Sequence, residues 1–275
     1  MVVCERDDLM PVTEEVIAEL AHRLLAAEQW CVPIEPITAL YPDLTEADAY
    51  RVQMALVATR VERGDRVAGR KVGATSQAIQ QLLRIDEPIF GSLFESDRVA
   101  NGETISLSRL IHPRIECEIA FLLGADLVGP GITVSDVLAA TRAVMASLEI
   151  NDPRTREWKI GSREAIADNG ITARFVLSEQ RVSVEDLDLP NTTAVLKKNG
   201  EEVALATGVA VLGDPARAVA WLANKLAGYH QGLKAGEIVL PGSMTPIYPV
   251  DVADKVEAEF DALGSVSVRL DAPGL

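Results

Sequence analysis

Two glutamates, Glu116 and Glu118, stand two apart in the otherwise apolar run HPRIECEIAF, residues 112–121. A strand repeats every two residues, so these carboxylates share one face while Ile115, Cys117 and Ile119 take the other. If the acidic face meets water, the run is a half-exposed strand and nothing more. If the face is enclosed, the two carboxylates repel and need a cation. A third acid, Glu149, lies between Leu148 and Ile150 in VMASLEIND, which also reads as a strand. Three carboxylates with water suit a hard, oxygen-seeking ion such as Mg²⁺ or Mn²⁺ rather than Zn²⁺, which recruits His or Cys. Spacing alone leaves both readings open, because it does not show that Glu149 meets the other two.

The elements that would position these acids follow from local pattern. Val16, Leu20, Leu24 and Leu25 recur at helical spacing over residues 12–29, with Thr13 as N-cap. CVPIEPITALYPDL carries three prolines and reads as a loop. A second helix follows, with Thr45 as cap, Asp48 at its third position and Gly64 at its end. From about residue 66 the texture changes to short β-like runs punctuated by Gly and Pro. TAVLKKNGEEVALAT reads as a hairpin around Asn199-Gly200. Two helices are expected to interrupt this part. One begins near Thr133 or Ser135 and runs toward Ala146; the other begins at Asp214-Pro215 and runs to about Tyr229. The division is a helical N-terminal segment, residues 1–65, and a β-rich catalytic domain, residues 66–275, in an α+β chain.

Composition excludes several classes. The 275 residues are 48% hydrophobic, enough to bury a core, and no apolar run reaches the roughly 18 residues of a membrane span. The stretch MVVCERDDLM lacks the basic and apolar regions of a secretion signal. Cys4, Cys31 and Cys117 are odd in number and show no metal or disulfide spacing, which fits a reducing cytoplasm. A formal charge of −15 opposes nucleic-acid binding. Neither a dinucleotide-binding nor a phosphate-loop glycine motif is present, nor is a G-x-S-x-G nucleophile elbow. His22, His112 and His230 do not cluster in sequence, and His112 reads as a structural hydrogen-bonder.

Seven blocks occur in order: GRKVGATS, RIDEPIFGSLF, HPRIECEIAFLL, SLEIND, ADNG, LPGSMTP and LGSVSVRL. Together with YPDLTEADAYRVQ they resemble the 2-keto-4-pentenoate hydratase and 4-oxalocrotonate decarboxylase family of the fumarylacetoacetate hydrolase superfamily. The resemblance implies a helical N-terminal segment, a β-rich mixed roll around a divalent-metal site, and homo-oligomers. It also implies that Glu116, Glu118 and Glu149 are the metal ligands. Lys71, in GRKVG, matches an active-site lysine, although sequence alone reads it as an exposed strand lysine. Beside a cation its pKa is expected to fall toward the range useful for proton transfer. Asp86, two before Pro88, matches an acid that handles a proton or water in the hydratases. Ser243 and Thr245 match a loop that contacts the substrate carboxylate, and Asn169 belongs to the same implied substrate site. There the chain departs from the family, which follows Asn with Ala or Thr and then Ser; here Gly170-Ile171-Thr172 follow, and Thr172 is the candidate to supply the hydroxyl. Pro153 likewise replaces a serine.

Three functions are consistent with these residues. The first is a metal-dependent hydratase of a 2-hydroxypenta-2,4-dienoate-type acid in aromatic-ring or sterol degradation, yielding a 4-hydroxy-2-oxo acid. Asp86 and GSMT resemble this form. The second is a 4-oxalocrotonate decarboxylase, which LIHPRIECEI and KKNGEEV resemble at least as well. The third is a weakly active structural partner in a complex of pathway enzymes. Hydrolysis of an acylpyruvate is disfavoured, because the superfamily's hydrolases use a His–Glu pair and no matching histidine stands early in the β-rich part.

Overall fold

Thr13 opens the first helix: its side chain accepts a hydrogen bond from the Val16 amide, and α1 (Glu14–Trp30) buries Ile17, Leu20, Ala21, Leu24 and Leu25. This is the expected apolar stripe of a helix packed on a core. The computed structural model describes residues 12–272, so Cys4 and the N-terminal stretch discussed above lie outside the described residues. The proline-rich stretch expected as pure loop contains one helical turn, α2 (Ile37–Leu40), which starts directly after Pro36. Proline is tolerated there because the first helical amides have no intrahelical acceptor. Thr45 and Asp48 close a reciprocal capping box on α3 (Glu46–Glu62), and α3 packs on α1.

The remaining chain supplies the sheets. In order these are β1 (Val67–Gly73), α4 (Gln77–Leu83), β2 (Ile89–Phe94), β3 (Arg98–Val99), β4 (Thr104–Ser106) and β5 (Arg114–Leu123). Then come α5 (Val134–Ala140), β6 (Thr141–Asn151), α6 (Ser162–Ala167), β7 (Thr172–Leu177), and the hairpin β8 (Thr193–Lys198) and β9 (Glu201–Thr207) about Asn199-Gly200. The chain closes with α7 (Pro215–Ala227), β10 (Ile238–Leu240), β11 (Tyr248–Pro249), β12 (Lys255–Phe260) and β13 (Gly264–Asp271). One sheet has the order β2-β1-β10-β5-β6-β7-β3, with β11 also paired to β5; the other has the order β4-β13-β12-β8-β9. Residues of α1, α3, α7 and both sheets enter one buried apolar cluster.

Two expectations need correction. Four α-helices, not two, interrupt the β-rich part, because α4 and α6 are short helices capped by Ser76 and by the Gly161–Glu164 pair. Neither is long enough to show a helical period. The helix beginning at Thr133 starts as expected, with a Thr133–Asp136 capping box, but ends at Ala140 rather than running toward Ala146. Thr141, Ala143 and each following residue to Asn151 are paired with β5. Alanine-rich sequence favours helix locally, and the cross-strand pairing overrides that preference.

Candidate metal centre

Adjacent strands β5 and β6 run antiparallel, in a register that sets Glu116 opposite Glu149 and Glu118 opposite Ser147. All three glutamates are buried, with Glu118 and Glu149 at 0% exposure and Glu116 at 5%. One carboxylate oxygen from each lies within 4.8 Å of the others. The face is therefore enclosed, and the solvated-strand reading fails. Beneath the carboxylates the same face continues into Ala120 on β5 and Met145 on β6, packed with Leu93, Phe175, Leu177 and Leu240. This apolar floor closes the inner end of the site.

The electrostatics are those of uncompensated acids. Burial, then the Glu149 charge, push Glu116 up to about 7 against the opposing pull of Lys71 and Asn151. Burial, then Glu149 and Glu116, hold Glu118 well above the ordinary carboxylate range. Glu118 Oε1 and Glu149 Oε2 are buried without a hydrogen-bond donor among the described residues. Glu149 Oε1 has Lys71 Nζ at 3.3 Å, an ion-pair distance without hydrogen-bond alignment. Three carboxylates against one ammonium leave two negative charges, and all the free donors are oxygens. That set fits a hard divalent cation.

Lys71 comes from β1, where it is 3% exposed rather than the surface lysine its sequence context suggests. Its Cα partners are Gly91 on β2 and Leu240 on β10. Gly91 is required here: a Cβ would lie 2.3 Å from the Asn169 carbonyl oxygen. That close approach brings the Asn169–Gly170 turn against β1, where Lys71 Nζ donates to the Gly170 carbonyl at 3.1 Å. Burial lowers the Lys71 pKa, but Glu149, Glu116 and Glu118 overcome it and the net shift is upward. The expected fall presupposed a cation; the carboxylates by themselves reverse it.

The other candidates divide. Ser243 Oγ donates to the Thr245 carbonyl at 2.6 Å, and Thr245 Oγ1 accepts from the Cys117 amide at 3.5 Å. In the same loop the Gly242 amide donates to Glu118 Oε2 at 2.8 Å, so this segment edges the cluster. Asn169 uses both ends of its amide on Ser92, accepting from its N–H at 2.7 Å and donating to its carbonyl at 2.8 Å. Thr172 is buried, and its carbonyl accepts from Arg154 Nη1 at 2.9 Å. Asp86 lies exposed in the turn between α4 and β2, with no side-chain hydrogen bond or ion pair among the described residues; it is not gathered into the cluster.

Two further neighbours, not expected from the sequence, border the cluster. Asn151 Nδ2 donates to Glu116 Oε1 at 2.9 Å, and Ser147 Oγ is buried without a partner among the described residues. Both lie two positions from Glu149, so the strand period that grouped Glu116 with Glu118 could have found them.

The chain is similar to known proteins over nearly its whole length. The family described as "Fumarylacetoacetate (FAA) hydrolase C-terminal" matches residues 59–271. A 2-hydroxyhexa-2,4-dienoate hydratase of Comamonas testosteroni is 38% identical over 258 residues, covering 93% of this chain and 98% of the relative. A 4-oxalocrotonate decarboxylase of Pseudomonas sp. (strain CF600) is 39% identical over 258 residues, covering 94% and 98%. Among solved structures, 4-oxalocrotonate decarboxylase from Pseudomonas putida G7, complexed with magnesium and adipate, superposes with a TM-score of 0.92 at 37% identity, covering 94% of this chain and 98% of that one.

Proposed function

The chain belongs to the fumarylacetoacetate hydrolase family, and from that premise we propose that it is a divalent-metal-dependent hydratase of a 2-hydroxy-2,4-dienoic acid. The observation that carries the proposal is the convergence of Glu116, Glu118 and Glu149 within 4.8 Å, with Lys71 Nζ 3.3 Å from Glu149. Those three glutamates would hold Mg²⁺ or Mn²⁺, in keeping with the magnesium of the decarboxylase relative. When bound, such an ion supplies Lewis acidity to the keto and carboxylate oxygens of a 2-oxo acid. Lys71 is assigned the proton transfer at substrate carbon, because its ammonium reaches the cluster from β1, on the other side of β10 from β5. The loop carrying Ser243 and Thr245 is assigned to the substrate carboxylate. Asp86 is assigned to the incoming water, and its lack of other partners leaves its carboxylate available. Asn169 fastens the turn on which Lys71 rests, and Asn169 and Thr172 keep their assignment to the substrate site. The reading places these roles in residues 66–275 and extends to self-association and to a complex with enzymes acting before or after it.

Hydration proceeds by protonation of the dienol at its far end, followed by addition of water across the remaining conjugated double bond. No atom is lost, and the product is a 4-hydroxy-2-oxo acid. Decarboxylation of 4-oxalocrotonate is the second reading, favoured by relatives of equal identity that carry that name. It needs no group to guide water. The two are separated by following consumption of 2-hydroxypenta-2,4-dienoate and of 4-oxalocrotonate, each with Mg²⁺ and with Mn²⁺. A hydratase consumes the dienoate without releasing CO₂. In deuterated buffer its Asp86→Asn variant should still place deuterium at the terminal carbon while product formation falls roughly 10²- to 10⁴-fold. Release of CO₂ from oxalocrotonate with poor dienoate hydration would reverse the assignment.

A further inference from the structure

β2 is the outermost strand of its sheet, paired with β1 on one side only. Backbone groups on the free edge of a strand need partners once they are buried. Phe90 and Ser92 stand two apart, so their peptide groups turn to the same edge. Side-chain amides complete that edge. Asn169 exchanges two hydrogen bonds with the Ser92 backbone. Gln53, from α3, donates through Nε2 to the Phe90 carbonyl at 2.8 Å. Its Nε2 also donates to the Ile166 carbonyl at 2.7 Å, near the end of α6.

Gln53 closes the block YPDLTEADAYRVQ, of which no residue belongs to the metal cluster. It is 2% exposed, a position a carboxamide takes where its polar atoms are met. Tyr50, one helical turn earlier, stacks on the Phe90 ring with centroids 4.6 Å apart. Thus α3 grips one residue of β2 by both its ring and its carbonyl. What Gln53 joins are the two walls of the lysine seat. Phe90 adjoins Gly91, which pairs with Lys71 and lets the Asn169 carbonyl come close because it has no Cβ. Ile166 lies on the chain just before Asn169, and the Gly170 carbonyl that follows accepts from Lys71 Nζ.

We infer that Gln53 is a positioning residue for the reaction: by tying β2 to α6 it holds the Asn169–Gly170 turn against β1, and so aims the Lys71 ammonium. The inference rests on the reading that gives Lys71 the proton transfer. Such a transfer depends on the donor being held within hydrogen-bond reach of the reacting atom, and small displacements slow it steeply. Gln53 acts at one remove, since its hydrogen bonds among the described residues go to backbone carbonyls. Without it two buried carbonyls lose a donor, and they move apart or admit water. The hydrogen bonds from β2 to the turn that then remain among the described residues are those of Asn169. The three glutamates lie on β5 and β6, separated from β2 in the sheet by β1 and β10, so the brace bears on the lysine and not on the metal ligands.

The test uses the Mg²⁺-loaded full chain and the variants Gln53→Met, Lys71→Met and their combination. Gln53→Met keeps the length of the side chain and removes both donors. Its kcat for hydration of 2-hydroxypenta-2,4-dienoate should fall roughly 10- to 100-fold, up to the scale of a misplacement of about 1 Å. KM, and Mn²⁺ affinity by titration, should stay near wild type. Adding Gln53→Met to Lys71→Met should cost nothing further, because a brace has no effect on an ammonium that is gone. A residue that only supported the fold would lower the residual rate as well. Hydrogen exchange of the Ser92 amide, held by Asn169 Oδ1, gives a readout independent of turnover and should quicken about 10-fold in Gln53→Met. Gln53→Asn keeps the donors but is shorter by one C–C bond of about 1.5 Å, so it reaches one carbonyl at most. It should fall between wild type and Gln53→Met, and it carries the test if the methionine variant does not fold. Unchanged kcat and Ser92 exchange in both variants, or full additivity with Lys71→Met, overturns the inference and leaves the hydratase reading intact. If the wild type consumes 4-oxalocrotonate rather than the dienoate, the hydratase reading fails, and the same cycle run on decarboxylation decides the inference.

Discussion

Glu149 is the acid on which the metal proposal turns, because it faces Glu116 across the strand pair and has no donor satisfying its Oε2. Glu149→Gln removes one charge with little change of shape. Mn²⁺ affinity, measured by titration, should fall by roughly 10-fold or more, since even groups outside the ligand set cost that much. Undiminished affinity would remove Glu149 from the site. Lys71→Met keeps the apolar stem and removes the ammonium. Metal binding should survive, and turnover should fall by about 100-fold or more, the lower range for loss of a general acid or base. A variant within a few-fold of wild type would make Lys71 structural. The carboxylates also give the metal-free protein a pH dependence. Glu116 titrates near 7 in the folded chain, raised above its ordinary value. A raised pKa contributes stability that is full below the unfolded value and is lost as pH rises through the folded value. The melting temperature in EDTA should therefore decline between about pH 5 and pH 7. Saturating Mg²⁺ should offset the decline, because the ion binds the ionised carboxylates. An EDTA profile that rises over this window would contradict the enclosed cluster.

The turn Asn169–Gly170 is the element that seats Lys71. Asn169 at φ 54° fastens it to the Ser92 backbone, and Gly170 at φ 66° presents its carbonyl to the lysine. A Cβ on Gly170 would approach Lys71 Cδ to 2.8 Å. Gly170→Ala should displace the lysine and lower kcat by about 100-fold, the scale expected for a misplacement of about 1 Å, while Mn²⁺ affinity stays near wild type. Equal loss of metal and turnover would mean that the turn supports the glutamates rather than the lysine. Local chemistry is legible at this scale where side chains cap their own backbone. Thr13, Thr45, Thr133 and Asp214 each accept a bond at the helix starts expected of them. The ending of α5 was not legible, because its last turn is decided by β5, a separate strand, and not by the residues that follow it.

A buried ionic network ties α1 and α3 to the segments that follow β6 and precede β7, and to β7 itself. Arg154, 4% exposed, lies 3.0 Å from Glu28 of α1 and 3.5 Å from Asp168, the residue preceding the Asn169 turn. Arg60 of α3 reaches Asp97 at 3.0 Å, and Asp97 also meets Arg174 at 3.2 Å. Removing one partner leaves charges enclosed without compensation. Arg154→Met should cost about 3–5 kcal/mol, read as a shift of the denaturation midpoint. A cost below about 1 kcal/mol would show that the pairs are solvated like surface ion pairs. No helix of the described residues is long and apolar enough to cross a membrane.

The sequence by itself determined which residues share a face, where α1, α3, α5 and α7 begin, and the ordered blocks that resemble the family. These are short-range facts: alternation, capping and turn chemistry act within a few residues of backbone. It also contained Glu116, Glu118 and Glu149 as candidates, but not their meeting. Only the tertiary structure decided that β5 and β6 pair in a register setting Glu116 opposite Glu149, and that Lys71 is buried rather than exposed. Those outcomes depend on contacts between residues tens of positions apart. Their formation requires the loops between strands to close and a shared core to form, and no local pattern encodes the burial that follows.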